Sequence, residues 1–185
     1  RIPSLISTNN EVLIAAIDER NKSCSDLKWN RDINIVIRKS YDQGKTWSKI
    51  EKIIDFPIGQ SASDPSMIVD RFTNEIFLFF NYMDLDNAKD VYRLMLIKSL
   101  DEGESWSEPI DITNQITKKE WGNDFMFITS GRGTQTKEGT LLHCLVNLNN
   151  GTHVFGSNDH GKNWFLFETL FKPGDESKIV IIIMV

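Results

Sequence analysis

One eight-residue pattern, Ser-x-Asp-x-Gly-x-x-Trp, occurs three times in this chain and constrains its fold more than any other feature. The copies are SYDQGKTW, SLDEGESW and SNDHGKNW. They begin at residues 40, 99 and 157, so that successive copies are 59 and 58 residues apart. A fixed period of this size indicates an array of similar supersecondary units that follow one another along the chain.

Runs of strand-like composition precede each octapeptide and also lie between the copies. The runs are EVLIAAID, DINIVIRKS, PSMIVD, EIFLFFNY, VYRLMLIKS, TLLHCLV and THVFGS. No segment shows a helical period over ten or more residues. Each period is therefore expected to contain about four strands, which is the size of one β-propeller blade. The 185 residues are predicted to form a single all-β domain, 1–185.

The octapeptides are predicted to be hairpin turns that belong to the scaffold. Their aspartates are expected to accept backbone hydrogen bonds, their glycines to adopt a positive φ, and their tryptophans to fold back beneath the hairpin. These residues are Asp42, Gly44, Trp47, Asp101, Gly103, Trp106, Asp159, Gly161 and Trp164. A calcium loop is disfavoured, because the EF-hand pattern requires more oxygen ligands and a terminal Glu. The chemistry is therefore expected elsewhere in the chain.

Charge and hydropathy exclude several classes of function. The net charge of −5 and the absence of a basic run argue against a nucleic-acid partner. No stretch approaches the roughly 18 apolar residues of a membrane helix. The apolar tail IVIIIMV is predicted to be a buried strand. The opening on Arg1 without an initiator Met, and the abrupt apolar end at Val185, indicate a piece of a longer protein.

The octapeptides resemble the Asp boxes of sialidases, and the order of motifs around them makes this resemblance specific. RIPSLIS is followed by EVLIAAIDER, the acidic loop NKSCSDLKWN, RDINIVIRK and the first octapeptide. The match continues through SDPSMIVD, SGRGTQTKEGTLLHCLV and GDESKIV, so that it covers essentially the whole chain. The resemblance implies a six-bladed β-propeller, here truncated to about three to four blades. It also implies a bacterial-type exo-α-sialidase that hydrolyses sialylated glycans with retention and needs neither cofactor nor metal.

The resemblance also assigns roles to individual residues. Guanidinium groups match the carboxylate of sialic acid in shape and charge. Sialidases use a Tyr nucleophile, whose neutral hydroxyl is not repelled by that carboxylate. The implied residues are Asp26 as acid/base, Glu176 as partner of the nucleophile, Arg1 for the carboxylate, Arg20 and Asp64 for ring hydroxyls, and Tyr92 for the N-acetyl or glycerol arm.

Alternatives remain open for these assignments. Asp18 and Asp32 are rivals of Asp26, although both lie at strand patterns where local pairing is expected. Arg1 and Arg20 can be surface charges, Asp64 can form a turn before a proline, and Tyr92 can belong to a strand core.

The family places its other two arginines and its Tyr nucleophile downstream of Glu176, so the chain alone is expected to be inactive. The tail also departs from the family, which usually has an acidic residue after the valine. The whole protein is expected to be secreted or located at the cell surface. The rival hypotheses are a non-catalytic glycan-binding propeller and a trans-sialidase.

Overall fold

The structure, a computed structural model, describes residues 1–181 and confirms the all-β prediction. Within that range the strands form three sheets that follow one another along the chain, and none of the three is closed on itself. Among residues 1–181, helical structure is limited to one short helix and two 3₁₀ turns. These are α1, Thr113–Ile116, and the 3₁₀ turns Leu27–Trp29 and Lys119–Trp121.

The first sheet is an antiparallel meander in the order β1-β2-β3-β4. Its strands are β1, Ser4–Ser7; β2, Leu13–Arg20; β3, Ile33–Ser40; and β4, Glu51–Ile54. Leu13 pairs with Ser40 and Arg20 pairs with Ile33. Since a strand rises about 3.3 Å per residue, Arg20 lies about 23 Å from the end of β2 at which the first octapeptide begins.

The second sheet has the order β10-β5-β6-β7-β8. Its strands are β5, Gln60–Val69; β6, Ile76–Asp84; β7, Arg93–Ser99; β8, Ile110–Asp111; and β10, Gly131–Arg132. β10 runs parallel to β5, and the other pairings are antiparallel. A bulge interrupts the pairing of β5 with β6 between Ser63 and Ser66, and the bulged segment carries Asp64.

The third sheet contains β11-β12-β13-β14, and β9 also pairs with β12. These strands are β9, Met126–Ile128; β11, Thr134–Gln135; β12, Leu141–Asn147; β13, Gly151–Ser157; and β14, Phe165–Leu166. β11 pairs with Leu141 and Leu142, whereas β9 pairs with residues 145–147. Two short strands therefore pair with successive parts of β12.

The sheets pack face to face, and β6 lies between both cores. Leu78 and Phe80 of β6 belong to the core shared with the first sheet. Phe77 and Phe79 belong to the core shared with the third sheet, and all four side chains are fully buried. Because successive side chains of a strand face opposite sides, burial on both faces explains the uninterrupted apolar run IFLFF.

Each octapeptide forms a turn closed by its own aspartate. Asp42 Oδ1 accepts hydrogen bonds from Ser40 Oγ at 2.9 Å and from the Thr46 amide at 2.8 Å. Asp101 and Asp159 accept bonds from the corresponding positions of their copies. The glycines have φ values of +85°, +80° and +74°. A hydrogen bond from Ser105 Oγ, together with those from the Ser105 amide and Ser99 Oγ, lowers the pKa of Asp101 to about 2.

The tryptophans of the three copies differ in burial. Trp164 is only 4% exposed and packs edge-on against Phe77 and Phe79. Trp47 and Trp106 are half-buried. The expectation that each ring is buried beneath its hairpin therefore describes the third copy best.

The prediction of a buried strand in the apolar tail is wrong for the part of the tail that the structure describes. Residues 179–181 form no strand, and Val180 is 73% exposed. The remaining tail residues, 182–185, lie outside the described residues. Of residues 1–181, none belongs to a helix of the length and apolarity needed to span a membrane.

Candidate active site

The ends of β1 and β2 that lie away from the octapeptides bring two arginines together. The amino group of Arg1 donates to the carbonyl oxygen of Asp18 at 2.8 Å, and the Asp18 amide donates back to Arg1 at 2.9 Å. Arg1 Nη1 and Arg20 Nη1 both donate to the carbonyl oxygen of Cys24, at 2.8 and 2.9 Å. The two guanidinium groups therefore share one acceptor and lie side by side.

Arg20 lies between two carboxylates. Its Nε and Nη2 donate to Asp18 Oδ2 at 3.1 and 2.9 Å, and its Nη1 lies 2.5 Å from Asp26 Oδ1. The side chains of Asp18 and Arg20 are 0% and 5% exposed, whereas that of Asp26 is 67% exposed. Arg20 thus connects a buried carboxylate to one that faces solvent.

The acidic loop presents Asp26 at the start of a 3₁₀ turn. Asp26 precedes the turn Leu27–Trp29 in an extended conformation, and its carbonyl oxygen accepts from the Trp29 amide at 2.9 Å. Its side chain makes no cap hydrogen bond, so the carboxylate is available for Arg20. Its rival Asp32 instead accepts from Asn21 Nδ2 at 2.9 Å and contributes to the local fold of the loop.

Asp64 lies in the bulge of β5 rather than in a turn between strands. Its φ of +56° is unusual for a residue other than glycine. The Asp64 amide donates to Asp18 Oδ1 at 2.9 Å, and Asp64 Oδ2 accepts from Ser63 Oγ at 3.0 Å and from Asn81 Nδ2 at 3.1 Å. These contacts connect the first and second sheets at the site.

Burial changes the acidity of two of these carboxylates. Burial, and next to it the charge of Asp64, raises the pKa of Asp18 from 3.8 to about 6. Burial likewise raises the pKa of Asp64 above its ordinary value. Arg20 opposes both effects, since a nearby cation favours the ionised carboxylate.

A cavity of about 180 Å³ collects four of the six predicted site residues. It is lined by Asp26, Asp64, Tyr92 and Glu176, together with neighbouring apolar and polar groups. These four residues come from the acidic loop, the bulge of β5, the segment before β7 and the segment that follows β14. Arg1 and Arg20 line a separate hollow with Lys22, Ser23 and Cys24, and the Arg20–Asp26 ion pair connects the two.

Tyr92 and Glu176 reach this cavity in different ways. Tyr92 is 7% exposed, and its ring centroid lies 4.6 Å from that of Phe125, so it is largely buried at the cavity wall. Burial raises the pKa of Tyr92. Glu176 is exposed and belongs to a segment without regular secondary structure.

Two residues at the site were not identified from the sequence as contributors. Asn81 is 2% exposed; it donates to Asp64 Oδ2 and to the carbonyl oxygen of Ile128, and it accepts from the Ile128 amide. Its sequence signal is a lone amide within the apolar run EIFLFFNY. Asp18 was considered only as a rival acid.

In the described part of the chain, no three His, Cys, Asp or Glu side chains are grouped as metal ligands.

Comparison with known proteins gives both a matching family model and similar sialidases. A family model, the BNR repeat-like domain, matches residues 2–175. A sialidase of Bacteroides fragilis (strain YCH46) is 31% identical over 191 residues, which cover 89% of this chain. The match covers only 34% of that relative, so this chain spans about a third of its length.

Solved structures show the same relationship. The Hadza microbial sialidase Hz136 has a TM-score of 0.80 at 29% identity, over 90% of this chain and 36% of that one. A leech intramolecular trans-sialidase has a TM-score of 0.84 at 20% identity, over 98% of this chain and 46% of that one. The second likeness concerns the fold alone.

Proposed function

This chain belongs to the sialidase family of BNR-repeat proteins, and on that premise we propose that the complete protein is an exo-α-sialidase. It hydrolyses terminal sialic acid from glycoconjugates with retention. The observation that carries the proposal is the convergence of Asp26, Asp64, Tyr92 and Glu176 on one cavity. These residues are far apart in sequence, and a scaffold alone does not require an exposed acid, a half-buried acid and an exposed Glu to meet.

Arg1 binds the substrate carboxylate in this proposal. Its guanidinium donates to a backbone carbonyl, and among the described residues it forms no ion pair that would occupy its charge. Arg20 differs, because Asp18 and Asp26 both lie against it. A guanidinium already paired with two carboxylates is better suited to hydrogen-bond neutral ring hydroxyls than to bind a third anion.

Asp26 is the general acid and base. In the first step it donates its proton to the glycosidic oxygen while a Tyr hydroxyl attacks the anomeric carbon and transfers its proton to Glu176. In the second step Asp26 removes a proton from the water that attacks the same carbon, and the proton of Glu176 returns to the departing Tyr oxygen. Exposure of Asp26 at the cavity supports this role, because a proton must pass to an atom of the substrate.

Tyr41, Tyr82 and Tyr92 all precede Glu176, whereas the nucleophile of the family follows it. The nucleophile therefore belongs to a part of the protein outside this chain. Asp64, which Asn81 orients, contacts the ring hydroxyls of sialic acid in this proposal. Tyr92, at the cavity wall, contacts the N-acetyl or glycerol arm.

The complete fold is a closed six-bladed propeller in this proposal. The outer face of the first sheet supports it, because Ala15, Ile17, Val36, Trp47 and Ile50 line an apolar hollow there. Ile17 is 38% exposed and Ile50 is 65% exposed. A further blade packed on this face would bury these side chains as the second sheet buries the opposite face.

The role of Arg1 gives a direct test in the complete protein. We expect Arg1→Ala to raise KM for sialyllactose about 10–100-fold, the effect of losing charged hydrogen bonds to a carboxylate. Arg71→Ala is the matched control, because Arg71 is exposed and its Nη1 donates to Asn9 Oδ1, at the end of the sheets that carries the octapeptides. Equal effects of the two changes, or binding of sialosides without any release of sialic acid, would refute the proposal.

A further inference from the structure

We propose that Asp18 is a positioning residue, which orients Arg20 and the Asp64 backbone so that substrate and general acid meet in one geometry. The inference rests on the proposed function, because it assigns Asp18 a role in that reaction. It also separates Asp18 from Asp26, with which it competed as the acid on sequence grounds alone.

The contacts of Asp18 reach three of the candidate site residues directly. Its Oδ2 accepts two bonds from Arg20, and its Oδ1 accepts one from the Asp64 amide. Its backbone exchanges two hydrogen bonds with Arg1. Through Arg20 it also acts on Asp26, whose carboxylate lies against the other side of the same guanidinium. No other side chain in the described residues bonds both Arg20 and Asp64.

Burial excludes Asp18 as the proton donor and explains its effect on geometry. Its side chain is 0% exposed, and both carboxylate oxygens already accept hydrogen bonds from the protein. A buried carboxylate must be paired, and the two N–H···O bonds from Nε and Nη2 of Arg20 that converge on Asp18 Oδ2 restrict rotation of the guanidinium. Arg20 is therefore fixed before the substrate arrives.

The conformation of Asp64 supports the same role. A positive φ at a non-glycine residue costs free energy and persists only where surrounding contacts impose it. Asp18 Oδ1 supplies such a contact, since it accepts the Asp64 amide across the two sheets. Asp64 then directs its carboxylate towards Asn81 and the cavity.

The test is Asp18→Asn in the complete protein, because asparagine keeps the volume and removes the charge. One amide nitrogen would then face either Arg20 or the Asp64 amide, and a donor cannot accept a hydrogen bond. Displacements of about 1 Å at a reacting centre are associated with losses of up to about 10²-fold. We expect kcat/KM for sialyllactose to fall about 10–10²-fold.

Two kinetic quantities separate positioning from stability. A purely structural loss lowers the fraction of active molecules, which changes neither KM nor the ratio of kcat/KM for a natural and an activated aryl sialoside. Positioning changes both: KM rises, and the natural substrate is slowed more because Asp26 is displaced. Asp32→Asn is the matched control, since Asp32 directly precedes β3, the partner strand of β2, and bonds Asn21 but neither Arg20 nor Asp64.

An unchanged KM and an unchanged substrate ratio in Asp18→Asn would overturn the positioning role while leaving the sialidase proposal intact. Wild-type protein that cleaves no sialoside would refute the proposed function instead. In that case crystal structures of the two variants decide the inference. Arg20 and Asp64 displaced in Asp18→Asn but not in Asp32→Asn would support it, and unmoved side chains in both would overturn it.

Discussion

The three aspartates at the site carry the same functional group but differ in their exposure and in their neighbours. Asp26 is exposed beside Arg20, Asp18 is buried beneath the same arginine, and Asp64 is half-buried in a strand bulge. We propose that the exposed Asp26 exchanges protons with substrate, whereas the less exposed Asp18 and Asp64 maintain the geometry of the site.

The buried position of Asp18 predicts a specific pH dependence of stability. Its pKa is raised from 3.8 to about 6 in the folded state, so the folded protein binds the proton more tightly than the unfolded chain. The resulting stabilisation is present below pH 3.8 and is lost as the pH rises through about 6, a change of about 3 kcal/mol. Asparagine does not titrate, so the Asp18→Asn variant lacks this pH-dependent stabilisation.

Urea unfolding of wild-type and Asp18→Asn protein at pH 4 and pH 7.5 measures this difference. We expect the free energy of unfolding of the variant, relative to that of wild type, to increase by about 2 kcal/mol from pH 4 to pH 7.5, because only wild type loses stability over this range. Asp32→Asn should show no comparable change. A relative stability of Asp18→Asn that is equal at the two pH values would contradict the assignment.

The sequence analysis predicted single residues only where a motif surrounded them. Asp26, Asp64, Tyr92 and Glu176 were selected because they match positions in sialidase motifs, and the structure brings them to one cavity. The contribution of Asp18 was not predictable, because it depends on an arginine two residues later and on the amide of Asp64 in another sheet. Such pairing is a property of the tertiary structure.

The octapeptide turns connect sheets as well as strands. Lys39 Nζ donates to the carbonyl oxygen of Gly103, so the second turn contacts the first sheet. In the third turn His160 Nδ1 lies 2.7 Å from Asp70 Oδ2 of the second sheet. The space around the octapeptide glycines differs between the three copies.

This difference predicts unequal costs for the same substitution. A Cβ at Gly161 would lie 2.2 Å from the Phe77 ring, whereas one at Gly44 would lie 3.5 Å from Leu13. Both alanines incur about 1–2 kcal/mol for a positive φ, and Gly161→Ala adds about 1–3 kcal/mol of overpacking. Chemical denaturation should therefore rank Gly161→Ala as clearly less stable than Gly44→Ala. Equal stability of the two variants would contradict the described packing.

The prediction of strands was correct where an apolar segment also has a neighbouring strand with which to pair. IFLFF is buried on both faces of β6, whereas the equally apolar tail forms no strand over residues 179–181. Composition shows that a segment can pair, but a strand also needs a partner edge. β10 and β11 have two residues each and were not predicted, because they exist only through pairing with β5 and β12.

At the scale of the whole molecule, the candidate site and the octapeptide repeat lie at opposite ends of the sheets. Arg20 and the first octapeptide lie at the two ends of the β2–β3 pair, and Arg93, next to Tyr92, lies at the opposite end of β7 from Ser99. The repeat therefore predicts the architecture, whereas the proposed chemistry rests on the segments at the other end.

The most direct test of the proposed function compares two leaving groups in the complete protein carrying Asp26→Ala. A sugar alcohol leaves poorly without a proton, whereas an activated phenol leaves nearly unaided, so general acid catalysis matters mainly for the former. Single-turnover rates isolate the first step, in which Asp26 acts as the acid. We expect a loss of about 10²–10⁴-fold on a natural sialoside and a much smaller loss on the activated aryl sialoside. Equal losses on both substrates would contradict the assignment of Asp26 as the acid.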